Sequence, residues 1–416
     1  MSESSVCVHG LGYIGLPTAA VLAHHDYRVY CYDIDDSVIS DLEQQTITSD
    51  EPGLESYLAE ALDQGSLVPR REIPAADYHL ICVPTPLDET SRADLSAVTA
   101  TAEAVAEVLR ENDVVIVEST VPPGTTVDRL KPLLEVGGFE AGRDFGLVYS
   151  PETVSPGRVL TELRTNDRLV GGINDRSTAA GVRLYDSFVE GKVHETDATT
   201  AEFAKLAQNT YRDVNIALAN ELAILARNHD INPRDVVRLG NTHPRVDIHR
   251  PGPGPGGHCI PIDPLFLCQD EQSETLIQHA RRVNDGMVSY VADLVTAHLD
   301  DPAGQQIAIL GAAYKGDIAD ARNSPGLRLA EALQTHYGAS VRVHDPYVED
   351  AAVDSPRLPE VVRGTDALVV TTDHNEYSDL APEDVRRQMR TLVAIDTKDI
   401  LEPTDWRAAD FAFSGI

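Results

Sequence analysis

A glycine-rich turn near the start of the chain constrains its fold more than any other feature. Residues 6–9 form a short apolar run that leads directly into Gly10-Leu-Gly-Tyr-Ile-Gly15, and a helical pattern follows. A second apolar run, residues 28–32, ends at Asp33, eighteen residues after Gly15. This succession of strand, glycine turn, helix, strand and acid is typical of the first βαβ unit of a doubly wound parallel sheet.

The same turn predicts a dinucleotide ligand. Glycines allow the backbone to approach a pyrophosphate closely, and the helix N-terminus contributes partial positive charge. The Asp33 carboxylate would accept hydrogen bonds from both ribose hydroxyls and would repel a 2′-phosphate. Residues 34–36, Ile-Asp-Asp, provide no arginine to relieve that repulsion. The sequence therefore favours NAD over NADP.

A loop in the middle of the chain presents a cysteine in an unusual setting. Residues 251–257 are all glycine or proline, which excludes helix and strand, and they are followed by His258, Cys259 and, four residues later, Asp263. An accessible thiol in polar surroundings is typical of a nucleophile. The alternatives are an ordinary loop thiol or a metal ligand beside His258; we predict no metal. The remaining cysteines lie in apolar segments and are interpreted as core residues: Cys7, Cys31, Cys82 and Cys268.

One long helix is predicted between residues 199 and 228, a segment without proline or glycine. Lys205, Asn209 and Arg212 recur at i, i+4 and i+7, so they project from one face of this helix. The stripe could simply be solvated. Lysine is scarce elsewhere in the chain, however, and the helix is otherwise rich in alanine and leucine. We therefore interpret the stripe as a site for an anion or an oxyanion.

The strand pattern predicts two similar sheets. Apolar runs at 79–83, 113–117 and 146–149 end at polar or proline residues, which places Thr85, Thr120 and Glu152 at the carboxyl rim, where such sheets bind ligands. The final third repeats the theme, with residues 306–310 followed by Gly311 and residues 340–343 followed by Asp345. The third glycine of the pattern is absent, however, and Lys315 lies in its region. A mononucleotide diphosphate held by Lys315 is expected there.

These patterns together predict an α/β fold with two Rossmann-like doubly wound parallel-sheet domains, joined by a long central helix and a helical region. The expected bounds are 1–195 for the NAD-binding domain, 196–300 for the central helical domain with the cysteine loop, and 301–416 for the second nucleotide-binding domain.

The charge balance excludes several classes of partner. Lysine and arginine total 34 against 67 acidic residues, giving a formal net charge of −33. Such a surface disfavours nucleic acid and anionic membranes, and it suggests adaptation to a cytoplasm of high salt. Five cysteines without paired spacing, and the lack of an apolar leader or an 18-residue apolar run, predict a cytoplasmic protein.

Several motifs, in order and at these spacings, resemble one known family over essentially the whole chain. Apart from the glycine turn they are VPTP (83–86), ESTVPPGTT (118–126), AKLAQNTYRDVNIALANE (204–221), GPGGHCIPIDP (254–264) and GAAYKGDIADARNSP (311–325). The chain resembles the UDP-glucose/GDP-mannose dehydrogenase family. Residues 156–168, 243–246 and 396–398 are most similar to members that act on UDP-N-acetylmannosamine, whereas the cysteine loop is shared with UDP-N-acetylglucosamine enzymes.

The resemblance implies a four-electron oxidation of a sugar C6 alcohol to a carboxylate, with two NAD reduced and the UDP-sugar held mainly by residues 301–416. It implies catalytic roles for Cys259, Lys205, Asn209, Asp263, Glu152 and Thr120. It implies cofactor contacts from Gly10, Gly12, Tyr13, Ile14, Gly15, Asp33, Thr85, Thr120 and Arg322. Substrate contacts are implied for Arg158, Val159, Lys205, Asn209, Arg212, His243, Arg245, Gly256, Tyr314, Lys315 and Lys398.

The resemblance further implies a homodimer or higher homo-oligomer built on the long helix, in which His243 and Arg245 serve the neighbouring subunit, and a product used for cell-surface polysaccharide. Two residues depart from the family pattern, namely Thr153 after Glu152 and His9 before the first glycine. Three alternatives stay open: UDP-N-acetylglucosamine or UDP-glucose as substrate, a two-electron dehydrogenase of the hydroxyacid type, and a nucleotide sensor without catalytic activity.

Overall fold

The computed structural model describes residues 4–49, 51–271, 273–299, 301–354 and 357–416. The chain divides into two compact units, the first ending at Gln208 and the second beginning at Asn209. The division falls inside the predicted long helix, which is continuous as α8 (Ala198–Arg227). The three-domain bounds given above stay a prediction. Among the described residues, none of the helices combines the length and the apolar character needed to cross a bilayer.

The first unit contains an eight-stranded sheet with strand order β3-β2-β1-β4-β5-β6-β7-β8. Its strands are β1 (Ser5–His9), β2 (Arg28–Tyr32), β3 (Leu67–Arg70), β4 (Tyr78–Ile81), β5 (Val114–Val117), β6 (Gly146–Tyr149), β7 (Arg168–Gly172) and β8 (Val193–Asp197). β1 to β6 are parallel, as predicted. β7 pairs antiparallel with β6, so the last two strands run in the opposite direction. Reversed strands at one edge are common on otherwise parallel sheets.

Helices cover both faces of this sheet, because strands such as β5 are apolar at every position and need burial on both sides. One apolar cluster includes Val8 and Leu22, and the other includes Ile81 and Val98. The helices are α1 (Gly15–Ala23), α2 (Asp36–Gln44), α3 (Leu54–Gln64), α4 (Ser96–Ala106), α5 (Lys131–Leu134), α6 (Val159–Thr165) and α7 (Asp175–Tyr185), with a π-helical turn at Thr125–Leu130 and a 3-10 turn at Glu135–Gly137.

The second unit contains a five-stranded, fully parallel sheet with order β10-β9-β11-β12-β13. Its strands are β9 (Gln306–Leu310), β10 (Ser340–His344), β11 (Ala367–Val370), β12 (Val393–Asp396) and β13 (Ala412–Gly415). The helices after α8 are α9 (Pro233–Gly240), α10 (Asp263–Cys268), α11 (Leu276–Thr296), α12 (Pro325–Tyr337), α13 (Leu358–Val362), α14 (Asn375–Ser378), α15 (Pro382–Arg386) and α16 (Pro403–Ala408). Two doubly wound sheets and a long helix confirm the predicted fold class.

The second unit repeats the glycine turn of the first with one insertion. A Cβ added at Gly15 would lie 1.9 Å from the Gly10 carbonyl oxygen, and a Cβ added at Gly326 would lie 2.1 Å from the Gly311 carbonyl oxygen. Gly326 lies in the first turn of α12, and Gly15 is the first residue of α1. The conclusion that the third glycine is missing was therefore wrong, because residues 312–325 lengthen the turn between the two glycines.

The acid after β10 differs from its counterpart after β2. Asp345 is only 1% exposed. Its carboxylate accepts hydrogen bonds from the backbone of Ala312 and Ala313 at 2.7 and 2.8 Å, and from His374 Nε2 at 3.0 Å. Burial opposes ionisation, but the His374 bond and the backbone donors lower the pKa of Asp345 to about 2. Asp345 therefore stabilises the turn that follows Gly311, because its hydrogen bonds go to the backbone of that turn.

We expect Asp345→Asn to lower the free energy of unfolding of the second unit by about 2 kcal/mol at pH 7. A folded-state pKa below the unfolded value of about 4 means that the carboxylate contributes stability above pH 4, which is lost as the pH falls towards 2. The difference from wild type should shrink over that window. Trp406, the single tryptophan, is buried in this unit and reports its unfolding in urea. Asp350→Asn is the control, because Asp350 is exposed. An equal loss of unfolding free energy in the two variants would contradict the role given to Asp345.

Candidate active site

The glycine turn of the first unit is shaped by close backbone contacts. Gly10 has φ +88°, and a Cβ there would meet the Cys82 carbonyl oxygen at 2.8 Å. Position 15 also requires a residue without a Cβ, because of the contact with the Gly10 carbonyl oxygen described above. Gly12 is different, since an added Cβ would meet no protein atom within 4 Å. Gly10 and Gly15 are thus required by protein contacts, whereas the space over Gly12 is open. This combination fits a turn whose backbone binds a pyrophosphate.

Asp33 lies at the end of β2 beside this turn. Its carboxylate accepts from Leu11 N at 2.7 Å and from Asp35 N at 2.9 Å. These bonds fix its orientation and leave further lone pairs for ribose hydroxyls, because a carboxylate offers about four acceptor positions. Tyr13 and Ile14 are half-buried in the turn. The turn therefore fits the nucleotide that the sequence predicted.

Thr85 and Thr120 follow adjacent strands at the carboxyl rim of the same sheet. The Thr85 hydroxyl donates to the Thr120 carbonyl oxygen at 2.6 Å, so the two loops are held together. Both side chains are half-buried. The sequence placed them at one rim, and within the first unit the structure brings them into contact.

Lys205 and Glu152 form an ion pair in the first unit. Lys205 Nζ lies 2.7 Å from the Glu152 carbonyl oxygen and 3.2 Å from its Oε1, and the Lys205 side chain is 6% exposed. Burial disfavours the carboxylate, yet the charge of Lys205 and a hydrogen bond from Val154 N lower the pKa of Glu152. The Glu152 carboxylate is therefore ionised at neutral pH, and the buried Lys205 side chain is fixed in position beside it.

The cysteine loop is packed against one aromatic side chain of the second unit. A Cβ at Gly256 would lie 2.6 Å from Tyr314 Cβ, and one at Gly257 would lie 3.1 Å from the Tyr314 ring. Gly257 N donates to the Arg322 carbonyl at 2.8 Å, and Asn323 Nδ2 donates to the Gly257 carbonyl at 2.9 Å. The consecutive glycines thus allow the loop to lie directly on Tyr314, next to Cys259.

Cys259 itself is half-buried and is not in a disulfide. Its carbonyl oxygen accepts from Asp263 N at 2.8 Å, so one turn of chain separates the thiol from the start of α10. The Asp263 carboxylate is 3% exposed and accepts from Asn209 Nδ2 at 2.6 Å. Within the second unit the structure therefore joins a thiol loop, a buried carboxylate and a side-chain amide from the long helix.

Tyr314 lies in a strongly polar neighbourhood. Burial, and after it the electrostatic effects of Asp320 and Cys259, raises the pKa of Tyr314 to about 12. Arg322, predicted to contact the cofactor, lies in the second unit and is paired with Asp320 at 2.9 Å between Nε and Oδ1. Tyr314 therefore remains a neutral phenol that can donate a hydrogen bond at physiological pH.

The other predicted substrate residues differ in exposure. Val159 is buried in the apolar core, so only its backbone could meet a ligand. Arg158 is 70% exposed and pairs with Glu162 at 3.2 Å, while Lys398 Nζ pairs with Asp373 at 3.0 Å. The remaining members of the predicted set are exposed: Arg212, His243, Arg245 and Lys315. Of the helix stripe, Lys205 is buried, Asn209 is half-buried and Arg212 faces solvent.

Two supporting sets of residues were missed. Asn220 accepts from Gly252 N at 2.8 Å and donates to Asn284 on α11 at 2.9 Å, which anchors the glycine–proline loop. In the first unit, buried Arg168 forms an ion pair with Glu118, which also accepts from Tyr185 at 2.6 Å. Asn220 follows Asp213 by seven residues on α8, and both are fully buried. Two polar residues at this helical spacing, in a segment rich in alanine and leucine, were the sequence signal that could have identified Asn220.

The chain matches three domains of one family. The NAD binding domain of the UDP-glucose/GDP-mannose dehydrogenase family matches residues 4–189, its central domain residues 199–286, and its UDP binding domain residues 308–403. The three matches follow one another along the chain, cover most of it and include every predicted motif.

Individual relatives agree with this assignment. The chain is 41% identical over 419 residues to a UDP-N-acetyl-D-mannosamine dehydrogenase of Pyrococcus horikoshii, covering 99% of this chain and 98% of the relative. A solved structure of the UDP-D-ManNAc dehydrogenase from that organism has a TM-score of 0.93, with 99% of both chains covered. The UDP-N-acetyl-mannosamine dehydrogenase of Staphylococcus aureus gives 0.90 at 38% identity, covering 99% and 98%. The chain is therefore an NAD-dependent dehydrogenase that belongs to the UDP-glucose/GDP-mannose dehydrogenase family.

Proposed function

We propose that this enzyme oxidises C6 of a UDP-N-acetylhexosamine, with UDP-N-acetyl-D-mannosamine as the first choice, to the uronate in a four-electron reaction. The names of the relatives just described and the sequence similarity of residues 156–168 and 243–246 support this substrate. The cysteine loop taken alone supports UDP-N-acetylglucosamine equally well, and UDP-glucose is the remaining alternative. The cytoplasmic location and the role in polysaccharide synthesis belong to the same proposal.

The observation that carries the proposal is the environment of Cys259. The loop around it rests on Tyr314, its carbonyl oxygen accepts from Asp263 N, and Asp263 in turn is held by Asn209. Such support is unnecessary for an ordinary loop thiol, whereas a nucleophile needs a fixed position. A two-electron dehydrogenase would have no use for it.

The first half of the proposed reaction converts the alcohol into an aldehyde. When bound, NAD accepts a hydride from C6, once in each half of the reaction. The hydroxyl proton leaves to a water molecule, and the buried Lys205 ammonium assists this step because it stabilises the negative charge that develops on O6. Thr85 and Thr120 hold the loops at the rim of the first unit, where the cofactor contacts are predicted.

The second half uses the thiol. The Cys259 sulfur adds to the aldehyde carbon and forms a thiohemiacetal, whose oxyanion Asn209 can stabilise by donating a hydrogen bond. Loss of the second hydride and the hydroxyl proton leaves a thioester. Water, deprotonated with the help of Asp263 or Glu152, then attacks the acyl carbon and releases the carboxylate and the thiolate. The buried carboxylate of Asp263 is held in place for this role.

The remaining predicted residues are proposed to bind the substrate. Lys315 and Lys398 would contact the diphosphate as point charges, and Tyr314 would donate a hydrogen bond as a neutral phenol. Arg212 is exposed on the same helix as Asn209 and is suited to an anionic group. Arg322 contributes to the cofactor site in this proposal.

One assay separates the alternatives. Purified enzyme should be offered UDP-N-acetylmannosamine, UDP-N-acetylglucosamine and UDP-glucose separately, in high and low salt, with NADH counted against sugar consumed. We expect two NADH per molecule of UDP-N-acetylmannosamine and little turnover of the others. One NADH per sugar would indicate a two-electron enzyme, turnover of UDP-glucose alone would overturn the substrate, and binding of NAD without any turnover would indicate a sensor.

We also propose that the active form is a homodimer built on α8. Tyr211, Leu218 and Leu225 recur every seven residues on this helix and are 58%, 49% and 49% exposed. An apolar heptad stripe on an exposed helix is typical of a helix-pairing surface. Such pairing would let exposed His243 and Arg245 serve a neighbouring subunit.

Leu218→Glu is expected to convert the dimer into a monomer, because two carboxylates would be buried at the symmetric contact without partners. Light scattering after size-exclusion chromatography measures the mass directly. Leu276→Glu is the matched control, since Leu276 is 74% exposed and lies on another helix. A monomeric wild type, or a Leu218→Glu variant that remains dimeric, would contradict the proposal.

A further inference from the structure

A buried cluster of cysteine and histidine lies beneath the glycine turn of the first unit. Cys7 and His79 are register partners on the neighbouring strands β1 and β4, and His9 follows Cys7 by two residues. Because strand side chains alternate between faces, all three project from the same face of the sheet. The three side chains are at most 1% exposed. The proposed reaction uses none of them.

The positions of the ligand atoms suit a metal ion. One sulfur and two ring nitrogens of these residues all lie within 4.8 Å of one another, and His9 Nε2 is 3.1 Å from His79 Nδ1. In a tetrahedral zinc site, metal–nitrogen bonds of about 2.0–2.1 Å would separate two imidazole nitrogens by roughly 3.3 Å. The two rings are therefore already near the separation that a shared ion requires.

A hydrogen bond between the rings does not account for the cluster by itself. It uses one nitrogen of each ring, and the other two, His9 Nδ1 and His79 Nε2, have no hydrogen-bond partner among the described residues. Each buried unpaired polar group costs about 1–3 kcal/mol. The next residue on this face, Ile81, packs in an apolar cluster with Val98 of α4. Two histidines are therefore costly at positions where valine or isoleucine would serve the core.

We propose that Cys7, His9 and His79 form a buried binding site for a thiophilic d¹⁰ cation, Zn²⁺ or Cu⁺. A thiolate with two imidazoles is a ligand set that both ions accept. Binding replaces the proton of the Cys7 thiol by a metal–sulfur bond and releases that proton to solvent, without oxidation or reduction. The ion would tie β1 to β4 directly before Gly10, and so would stabilise the NAD turn without taking part in the chemistry.

The test measures metal retained by the protein. The full chain, with any histidine tag removed, should be loaded with Zn²⁺ or with Cu⁺ under reducing conditions, gel-filtered and analysed for metal by mass spectrometry. Wild type is expected to retain one equivalent of one of these ions, and the His9→Val/His79→Val double variant none. Valine is a favourable strand residue, and retained NAD binding by the double variant would show that its first unit is folded.

Two single variants serve as controls. Cys31→Ala removes an equally buried thiol on β2, and it pairs in register with Val8, so it lies on the opposite face. Cys259→Ala removes the other Cys–His pair of the chain. Both are expected to retain one equivalent. Retention of neither ion by wild type, full retention by the double variant, or loss in Cys259→Ala would overturn the proposal.

Cobalt gives a readout that does not depend on folding of the double variant. Co²⁺ bound to wild type should show a thiolate charge-transfer band in the near ultraviolet and d–d bands typical of tetrahedral coordination. Cys7→Ser should lose the charge-transfer band, and Cys31→Ala should keep it. A wild-type spectrum without thiolate coordination would contradict the site.

Discussion

Cys259→Ala will abolish formation of the uronate, with a fall in rate of roughly 10³-fold or more, as expected when a covalent nucleophile is removed. Without the sulfur no thiohemiacetal forms, so the second hydride transfer and the thioester are lost. Reversible oxidation of the alcohol to the aldehyde can persist. The measurement is uronate by chromatography and aldehyde by trapping with a hydroxylamine. Quenched wild-type reactions should contain an acylated peptide that includes Cys259.

The matched control is Cys268→Ala. Cys268 is 3% exposed on α10, nine residues further along, and its sulfur lies 3.3 Å from the Pro264 carbonyl oxygen. Its loss removes a thiol of the same region without touching the cysteine loop, so near-normal turnover is expected. Uronate production at the wild-type rate by Cys259→Ala would refute the proposed chemistry, and an inactive Cys268→Ala would assign the defect to packing.

Gly15→Ala will weaken NAD binding by roughly 100-fold or more, because displacement of a binding group by about 1 Å can cost that much. The new Cβ would lie 1.9 Å from the Gly10 carbonyl oxygen, and because that oxygen belongs to the backbone, no flexible side chain can move aside. The turn must open, and the N-terminus of α1 then loses its alignment with the pyrophosphate. Isothermal titration calorimetry with NAD measures the change.

Two further glycines make this result specific. Gly12→Ala creates no clash with protein, so a loss of NAD affinity without loss of stability there would indicate that the nucleotide itself approaches Gly12. Gly286→Ala lies in the interior of α11 with no atom within 4 Å of the new Cβ, and it should leave NAD binding unchanged. Wild-type affinity in Gly15→Ala would contradict the role of this turn in binding the pyrophosphate.

The sequence predicted the first glycine turn, Asp33 and the strand ends that carry Thr85, Thr120 and Glu152, because these depend on local spacing along the chain. It did not predict that Gly326 serves the second turn, because fourteen residues separate Gly311 from Gly326 whereas four separate Gly10 from Gly15, and a pattern of fixed spacing misses the repeat. It also gave no account of Asn220, whose partner Gly252 is distant in sequence. Contacts between distant segments depend on how the elements pack, which local periodicity does not specify.

The reversed edge strands illustrate the same limit. β7 and β8 contain polar and glycine residues, and the short helix α6 that precedes β7 gives no indication of strand direction. Conversely, Cys7 was interpreted as a core residue from its apolar neighbours alone. Its proximity to His79 depends on the pairing of β1 with β4, with some seventy residues between them in sequence. Strand register was therefore the missing information.

The use of Asp345 has a consequence for attempts to re-engineer nucleotide preference. In both units the acid accepts from the amide that follows the first glycine, yet in the second unit the acid is buried and also binds Ala313 N and His374 Nε2. Exchanging residues around it to create a ribose site would leave the amides of Ala312 and Ala313 without acceptors. Conversion of this unit into a dinucleotide binder would thus demand rebuilding of the loop as a whole, since no single substitution can release the carboxylate.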